Sequence, residues 1–186
     1  MSRHLAFFAL ALTSSAYAID ADPRFIEAER ISQAFSQQLL ATVKDAMAAG
    51  GTENAIAVCQ VAAPTIASQY SQAPWQIART SNKLRNTNNA PDAWEQSVLA
   101  AFAREIAAYP DKKPTPRTHI SDSEYRYMAP IMVAAPCLAC HGSALSTDTQ
   151  KALNQRYPDD QATGYQLGEL RGALTLRQRI SFTNQH

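Results

Sequence analysis

Two cysteines and a histidine stand close together in the segment APCLACHGS, and they form the pattern C-x-x-C-H at Cys137, Cys140 and His141. The sequence has one further cysteine, Cys59. In this pattern two thiols can add across the vinyl groups of a haem, and the adjacent imidazole can bind its iron. The segment therefore predicts one covalently attached haem c, which the surrounding fold has to accommodate.

Two other kinds of site can use the same residues. A C-x-x-C pair can form a redox-active disulfide, but that motif is typical of a strand-to-helix junction in an α/β fold, which this sequence does not predict. A zinc ion could be bound by Cys137, Cys140 and His141, with Cys59 as the fourth ligand. Haem attachment is the interpretation that we favour over both.

The first residues have the composition of a secretion signal. Arg3 and His4 precede an apolar run, LAFFALAL, which is followed by the small-x-small sequence AYA of a signal-peptidase site. The apolar run is less than half of the roughly 20 residues that a membrane-spanning helix needs. The sequence therefore predicts a signal peptide over residues 1–18, cleavage after Ala18, a periplasmic location and no membrane span in the mature chain.

Charge and length limit the class of the mature protein. The chain has 17 basic and 16 acidic residues among 186, so its formal net charge is only +1. No strong positive electrostatic potential therefore indicates nucleic acid as a partner. The part after the signal peptide, residues 19–186, is of a size that one domain with its own core can have. We expect a single domain without a nucleic-acid partner.

Apolar periodicity predicts three main helices. The first spans residues 25–49 and ends at two glycines, the second spans 52–67, and the third begins at Pro91 and ends at Pro110. Apolar residues recur at every third or fourth position: Ile31, Phe35, Leu39, Val43 and Met47, then Ile56, Cys59, Ala63 and Ile66, then Trp94, Val98, Phe102 and Ile106. The second of these stripes places Cys59 on the face that points to the core.

Three segments have the alternation of strands, at residues 74–81, 125–134 and 171–182, and residues 147–158 predict a short helix. Helices at the front, strands in the middle and at the end, and a helix inserted between them indicate an α+β fold. The simplest arrangement is an antiparallel sheet with the helices packed on one face.

A haem held by His141 has a second axial position, for which the mature chain offers six side chains: Cys59, Met47, Met128, Met132, His119 and His186. Cys59 lies on an apolar helix face and is left single in an oxidising compartment. A free cysteine also packs well as an inert small hydrophobic residue, so the residue types alone leave both roles open.

Four separated motifs extend the comparison beyond C-x-x-C-H: AVCQVAAPTIAS, RTSNKLRNTNNAPDAWE, CLACHG and YPDDQATGYQLGELRGALTL. Together they resemble the haem-c-binding, PAS-like cytochrome domains, which occur as small exported proteins and as sensor modules. The resemblance covers roughly residues 55–176. Thr87 stands where that family usually has proline, and Glu169 where it usually has aspartate; neither position is a proposed ligand.

The resemblance implies a PAS-like α+β fold with one haem c attached through Cys137 and Cys140. It implies His141 as one axial ligand and Cys59 as the other, and it marks Arg85 and Asn86 as positions of the haem pocket. The propionates of a haem need cationic or donor partners inside a protein. Arg79, Lys83, Arg85 and Arg126 are the side chains that we consider, with Arg85 preferred.

The expected function is redox or small-gas sensing, with a redox or signalling partner protein. A thiolate ligand stabilises ferric iron, whereas a protonated thiol is a poor ligand. Protonation and release of Cys59 on reduction would therefore open a site on the iron for nitric oxide or carbon monoxide. A soluble periplasmic electron carrier is the alternative. A haem enzyme, a peroxidase or a nitric-oxide-handling catalyst, ranks third because no acid–base group is clearly placed for it.

Overall fold

The computed structural model describes residues 22–180; the predicted signal peptide and residues 181–186 lie outside this range. The elements follow in the order α1 (Pro23–Tyr70), β1 (Trp75–Thr80), a 3₁₀ turn (Thr87–Asn89), α2 (Ala93–Ala108), β2 (Arg117–Ile120), β3 (Glu124–Met132), a 3₁₀ turn (Ala135–Cys137), α3 (Leu138–His141), α4 (Thr147–Arg156) and β4 (Leu170–Arg179). Among these residues no helix is both long and apolar enough to cross a membrane.

Helix α1 consists of two segments that meet at a break. Gly50 and Gly51 leave helical dihedrals, and Gly51 has φ 68°, in the left-handed region that favours glycine. The separation of two N-terminal helices at this glycine pair is therefore confirmed. Both segments contribute to the same core, where Phe35 of the first and Ile66 of the second are buried.

The four strands form one antiparallel sheet in the order β1-β4-β3-β2. The three predicted strands are present as β1, β3 and β4, and the α+β class is confirmed. Strand β2 was not predicted; it has only four residues, follows a proline-rich stretch and is mostly exposed. It pairs with β3, where Arg117 lies opposite Met128.

Helices cover both faces of the sheet, and the expectation that they pack on one face is wrong. Helix α1 covers the face that carries Trp75, Ile77, Tyr125, Tyr127, Leu174 and Leu176. Helix α2 packs Val98, Leu99 and Phe102 against Met128 and Ala173 on the other face. On this face β4 contributes the small side chain of Ala173 and the hydroxyl of Thr175, which donates to Glu95 of α2.

A cluster of charges fixes the start of α2 to the sheet. The Asp92 carboxylate accepts a hydrogen bond from the Glu95 backbone N–H, and the Glu95 carboxylate accepts one from Asp92 N–H, which is a capping box. Arg126 of β3 donates to both carboxylates, at 2.7 Å and 3.1 Å. Arg177 donates to Asp92 at 2.6 Å. These hydrogen bonds and ion pairs between Asp92, Glu95 and the two arginines position α2 over the strands.

Candidate functional site

One cavity of about 300 Å³ lies between α1, the sheet and the C-x-x-C-H segment. Such a volume is typical of sites for small molecules and cofactors. All six residues that the sequence predicts for the site line it: Cys59, Arg85, Asn86, Cys137, Cys140 and His141. The fold therefore brings together residues from three distant parts of the chain.

The walls of the cavity are mostly apolar, and basic side chains lie among the apolar ones. The apolar stripe of the first α1 segment supplies Phe35, Leu39, Val43 and Met47, and other elements add Ile56, Leu84, Ile131 and Leu174. The charged residues on the wall are Lys44, Arg79, Arg85 and Arg171, and no described aspartate or glutamate lines the cavity. An apolar ligand that carries negative groups suits this environment.

The C-x-x-C-H segment is a 3₁₀ turn followed by the single turn of α3. Cys137 packs against the cluster of Val133 and Tyr165, whereas Cys140 packs against that of Ile56 and Leu153. All three cysteines of the chain are free thiols in the structure, and no disulfide joins them. Within residues 22–180 no group of three or more histidine, cysteine or acidic side chains is placed to hold a metal ion by itself, so the zinc alternative finds no support.

The residue that follows α3, Gly142, has to be glycine for a steric reason. Its backbone is extended, with φ −71° and ψ 178°, and is open to any residue. A Cβ at this position, however, would lie 2.6 Å from the carbonyl oxygen of Leu138, to which the Gly142 N–H donates at 2.9 Å. Glycine is therefore required by close approach of the backbone.

The imidazole of His141 is held by the backbone. Its Nδ1 lies 2.7 Å from the carbonyl oxygen of Ala162, which can only accept, so the proton is on Nδ1 and the lone pair of Nε2 is free to bind a metal. Burial and the nearby charges of Arg85 and Arg171 lower the pKa of His141 to about 3. The ring is therefore neutral at physiological pH.

The Arg85 guanidinium is already engaged. It forms a buried ion pair with Asp160 at 2.9 Å and donates to the carbonyl oxygen of Cys140 at 2.6 Å. It also reaches the carbonyl oxygen of Ala162 at 3.3 Å, and Asp160 accepts from the Ala162 N–H at 2.9 Å. Arg85 thus ties the C-x-x-C-H turn to the loop that orients His141.

Sequence reasoning missed Asp160 and Ala162 as parts of the site. Asp160 lies within the motif YPDDQATGYQLGELRGALTL, so the resemblance covered it without giving it a role. Ala162 contributes a backbone carbonyl, for which a sequence offers no signal. Asn86 lines the cavity and also accepts from the Asn88 N–H at 2.9 Å, capping the 3₁₀ turn.

Among the candidates for the second axial position, Cys59 and Met47 line the cavity. Burial raises the pKa of the Cys59 thiol, against the opposing effect of Arg79 and Arg85. Met128 is fully buried in the core under α2, and His119 is exposed in β2 beside Trp94. Met132 does not line the cavity, and His186 lies outside the described residues.

Of the four proposed propionate partners, Arg126 is excluded by its place in the fold. It lies under α2 and binds Asp92 and Glu95, on the face of the sheet opposite the cavity. The Lys83 ammonium donates to the carbonyl oxygen of Thr163 and lies 4.4 Å from the ring centre of Tyr165. Arg79 and Arg85 both line the cavity.

Comparison with known proteins gives two matches. The family model described as Tll0287-like matches residues 20–179. The chain is also similar to the crystal structure of the cyanobacterial heme-protein Tll0287, with a TM-score of 0.66 and 23% sequence identity. That match covers 89% of this chain and 100% of the other, and it shows a shared fold. No curated protein matches the chain significantly.

Proposed function

The chain belongs to the Tll0287-like family, and from this membership and the donors that line its cavity we propose that it is a haem protein. The observation that carries the proposal is that the C-x-x-C-H turn and Cys59, which are distant in the sequence, line the same cavity. The relative of known structure is described as a heme-protein, which supports this assignment.

The residues present fit a covalently attached haem c. Cys137 and Cys140 are free thiols on adjoining turns, and the Nε2 of His141 is left available by the bond of Nδ1 to Ala162. Apolar side chains form most of the wall, and cations are present for the carboxylates. When bound, haem supplies reversible one-electron chemistry at an iron whose potential its axial ligands set.

Cys59 is the residue that we propose as the second axial ligand, with Met47 as the alternative. Both lie on α1 and line the cavity, but Cys59 is three residues after Ile56, and the cluster of Ile56 includes Cys140 of the C-x-x-C-H turn. Burial raises the pKa of the Cys59 thiol, and the nearby positive charges of Arg79 and Arg85 offset part of that rise.

The biological role follows from these proposals. We propose a PAS-like haem module, exported to the periplasm after cleavage at Ala18, that takes part in redox or small-gas sensing with a protein partner. A periplasmic electron carrier is the alternative. No described carboxylate lines the cavity, and its histidine is the proposed iron ligand, so the acid–base group of a haem enzyme lacks a candidate there.

The test is haem attachment in a host that carries the c-type maturation machinery. The purified chain is expected to gain the mass of one haem and to give the pyridine haemochrome spectrum of a haem with two thioether bonds. A Cys137→Ala/Cys140→Ala variant is expected to lose covalent haem. A chain that matures without covalent haem would contradict the c-type assignment, and one that binds no haem would contradict the function.

Addition of carbon monoxide to the reduced protein then separates the two roles. Formation of a carbon monoxide complex in the parent chain supports gas sensing. A reduced protein that refuses carbon monoxide and exchanges electrons with a soluble cytochrome supports the carrier.

A further inference from the structure

The two-residue alternation of β1 places Arg79 on the face of the strand that points to the core. In β1 the buried residues Trp75 and Ile77 face α1, and Arg79 follows them at the same two-residue spacing. It lies opposite Leu174, which belongs to that core. An arginine on the core face of a strand therefore lines the cavity.

The Arg79 guanidinium has no partner within residues 22–180. It makes no hydrogen bond or ion pair there, and burial lowers its pKa more than Cys59 and Tyr157 raise it. The other cations proposed from the sequence are engaged: Arg85 with Asp160, and Arg126 with Asp92 and Glu95. A desolvated charge without a partner costs stability, and a ligand that neutralises it would offset this cost.

Arg171 is a second arginine with free donor capacity on the wall. Its Nη1 donates to the Ser81 hydroxyl at 2.9 Å and to the Lys83 carbonyl oxygen at 3.2 Å, which fixes the side chain. Its Nε is buried and unpaired among the described residues. Arg79 and Arg171 are near enough for the charge of one to act on the other.

We propose that Arg79, supported by Arg171, is the carboxylate-binding subsite of the cavity and that it binds a propionate of the haem. This inference rests on the proposed function and moves the carboxylate contact from Arg85, the residue preferred from the sequence, to Arg79. Arginine suits the task because its planar donors match both oxygens of a carboxylate. Arg85 keeps its role in positioning His141.

The first test uses the matured holoprotein and the substitution Arg79→Met, with the exposed Arg104→Met as the control for loss of one charge. Resonance Raman propionate bending bands report the hydrogen bonding of the carboxylates. They are expected to shift in Arg79→Met, to be restored largely in Arg79→Lys, and to stay unchanged in Arg104→Met.

The second test makes binding reversible with a Cys137→Ser/Cys140→Ser chain and compares haem with its dimethyl ester. Loss of a charge-assisted hydrogen bond is expected to weaken haem binding about 10- to 100-fold in the additional Arg79→Met variant. The dimethyl ester is expected to bind both chains with similar affinity, since its carboxylates are blocked. This cycle isolates the contact between Arg79 and the carboxylate.

The outcomes separate the inference from the function. Unchanged Raman bands, or equal weakening of haem and its ester by Arg79→Met, would overturn the carboxylate subsite while the chain remained a haem protein. A parent chain without haem in both tests would overturn the function and the inference together. Unfolding of the ligand-free chain gives an independent check: Arg79→Met is expected not to lower its midpoint, whereas a structural arginine would lower it.

Discussion

The Nδ1 atom of His141 lies 2.7 Å from the backbone carbonyl oxygen of Ala162. Asp160 binds the Ala162 N–H, and Arg85 reaches from Asp160 to the carbonyl oxygens of both Cys140 and Ala162. The orientation of the imidazole is therefore set by one buried ion pair and one short stretch of backbone.

Asp160→Asn is expected to weaken this support, because it leaves the buried Arg85 charge uncompensated. The two side chains are 7% and 14% exposed. We expect the free energy of unfolding to fall by about 3 kcal/mol, the lower end for loss of one partner from a buried pair. Urea-induced unfolding measures the change, and the neighbouring exposed Asp159→Asn is the control. Equal stability of the two variants would show that the pair is not needed.

Cys59→Ser is expected to change the ligand field of the ferric holoprotein. If Cys59 is the second ligand, the electron paramagnetic resonance spectrum of the parent is of the low-spin thiolate type and is lost in the variant. Met47→Leu, the matched change on the same helix, is expected to leave it intact. The reverse result would make Met47 the ligand and Cys59 a core residue, and it would favour the electron carrier.

Gly142→Ala is expected to displace the C-x-x-C-H turn. The new Cβ would lie 2.6 Å from the Leu138 carbonyl oxygen, so backbone has to move. Overpacking of this kind costs about 1–3 kcal/mol. We expect lower stability and a reduced yield of attached haem, measured by absorbance per chain. Ser143→Ala, the next and exposed position, serves as the control; parity between the two would remove the steric argument.

Asp92 gives a pH dependence that is separate from the cavity. Although burial opposes its charge, the Glu95 N–H and Arg126 hold the pKa of the carboxyl below its usual value. A lowered folded-state pKa contributes stability above the unfolded value of about 4, and this stability is lost as the pH falls through the folded value.

The variant Asp92→Asn keeps a capping side chain and removes the charge. It is expected to be less stable than the parent at pH 7 by up to about 1 kcal/mol, because solvent screens this partly exposed carboxylate. The difference should vanish in acid below the folded-state pKa. Unfolding curves at several pH values measure it, with exposed Asp111→Asn as the control. A difference that persists in strong acid would show that charge is not the cause.

Much of the fold could be predicted because it depends on local patterns. The glycine pair at 50 and 51, the stripe that includes Phe35 and the start of α2 after Pro91 all have signals within a few residues. Burial of both faces of β4 could not be predicted in this way. Ala173 and Thr175 look like a solvent-facing alternation until α2 packs on them.

In the site, too, the residues that could be predicted are those that a local sequence pattern connects. Cys137, Cys140 and His141 carry their chemistry in five residues, so their grouping is visible in the sequence. The partner of Arg85 was not visible, because Asp160 is far away along the chain and no local pattern connects them. Only the folded structure shows that Arg79 has no partner among residues 22–180.

Both faces of strand β4 are packed, which restricts the substitutions that this strand can accept. Leu174 borders the cavity, and the next residue on either side faces the α2 layer. A substitution that reshapes the pocket from β4 would also disturb packing on the far side. Redesign of ligand preference should therefore start from α1, where Leu39, Val43 and Met47 can be varied without touching the layer under α2.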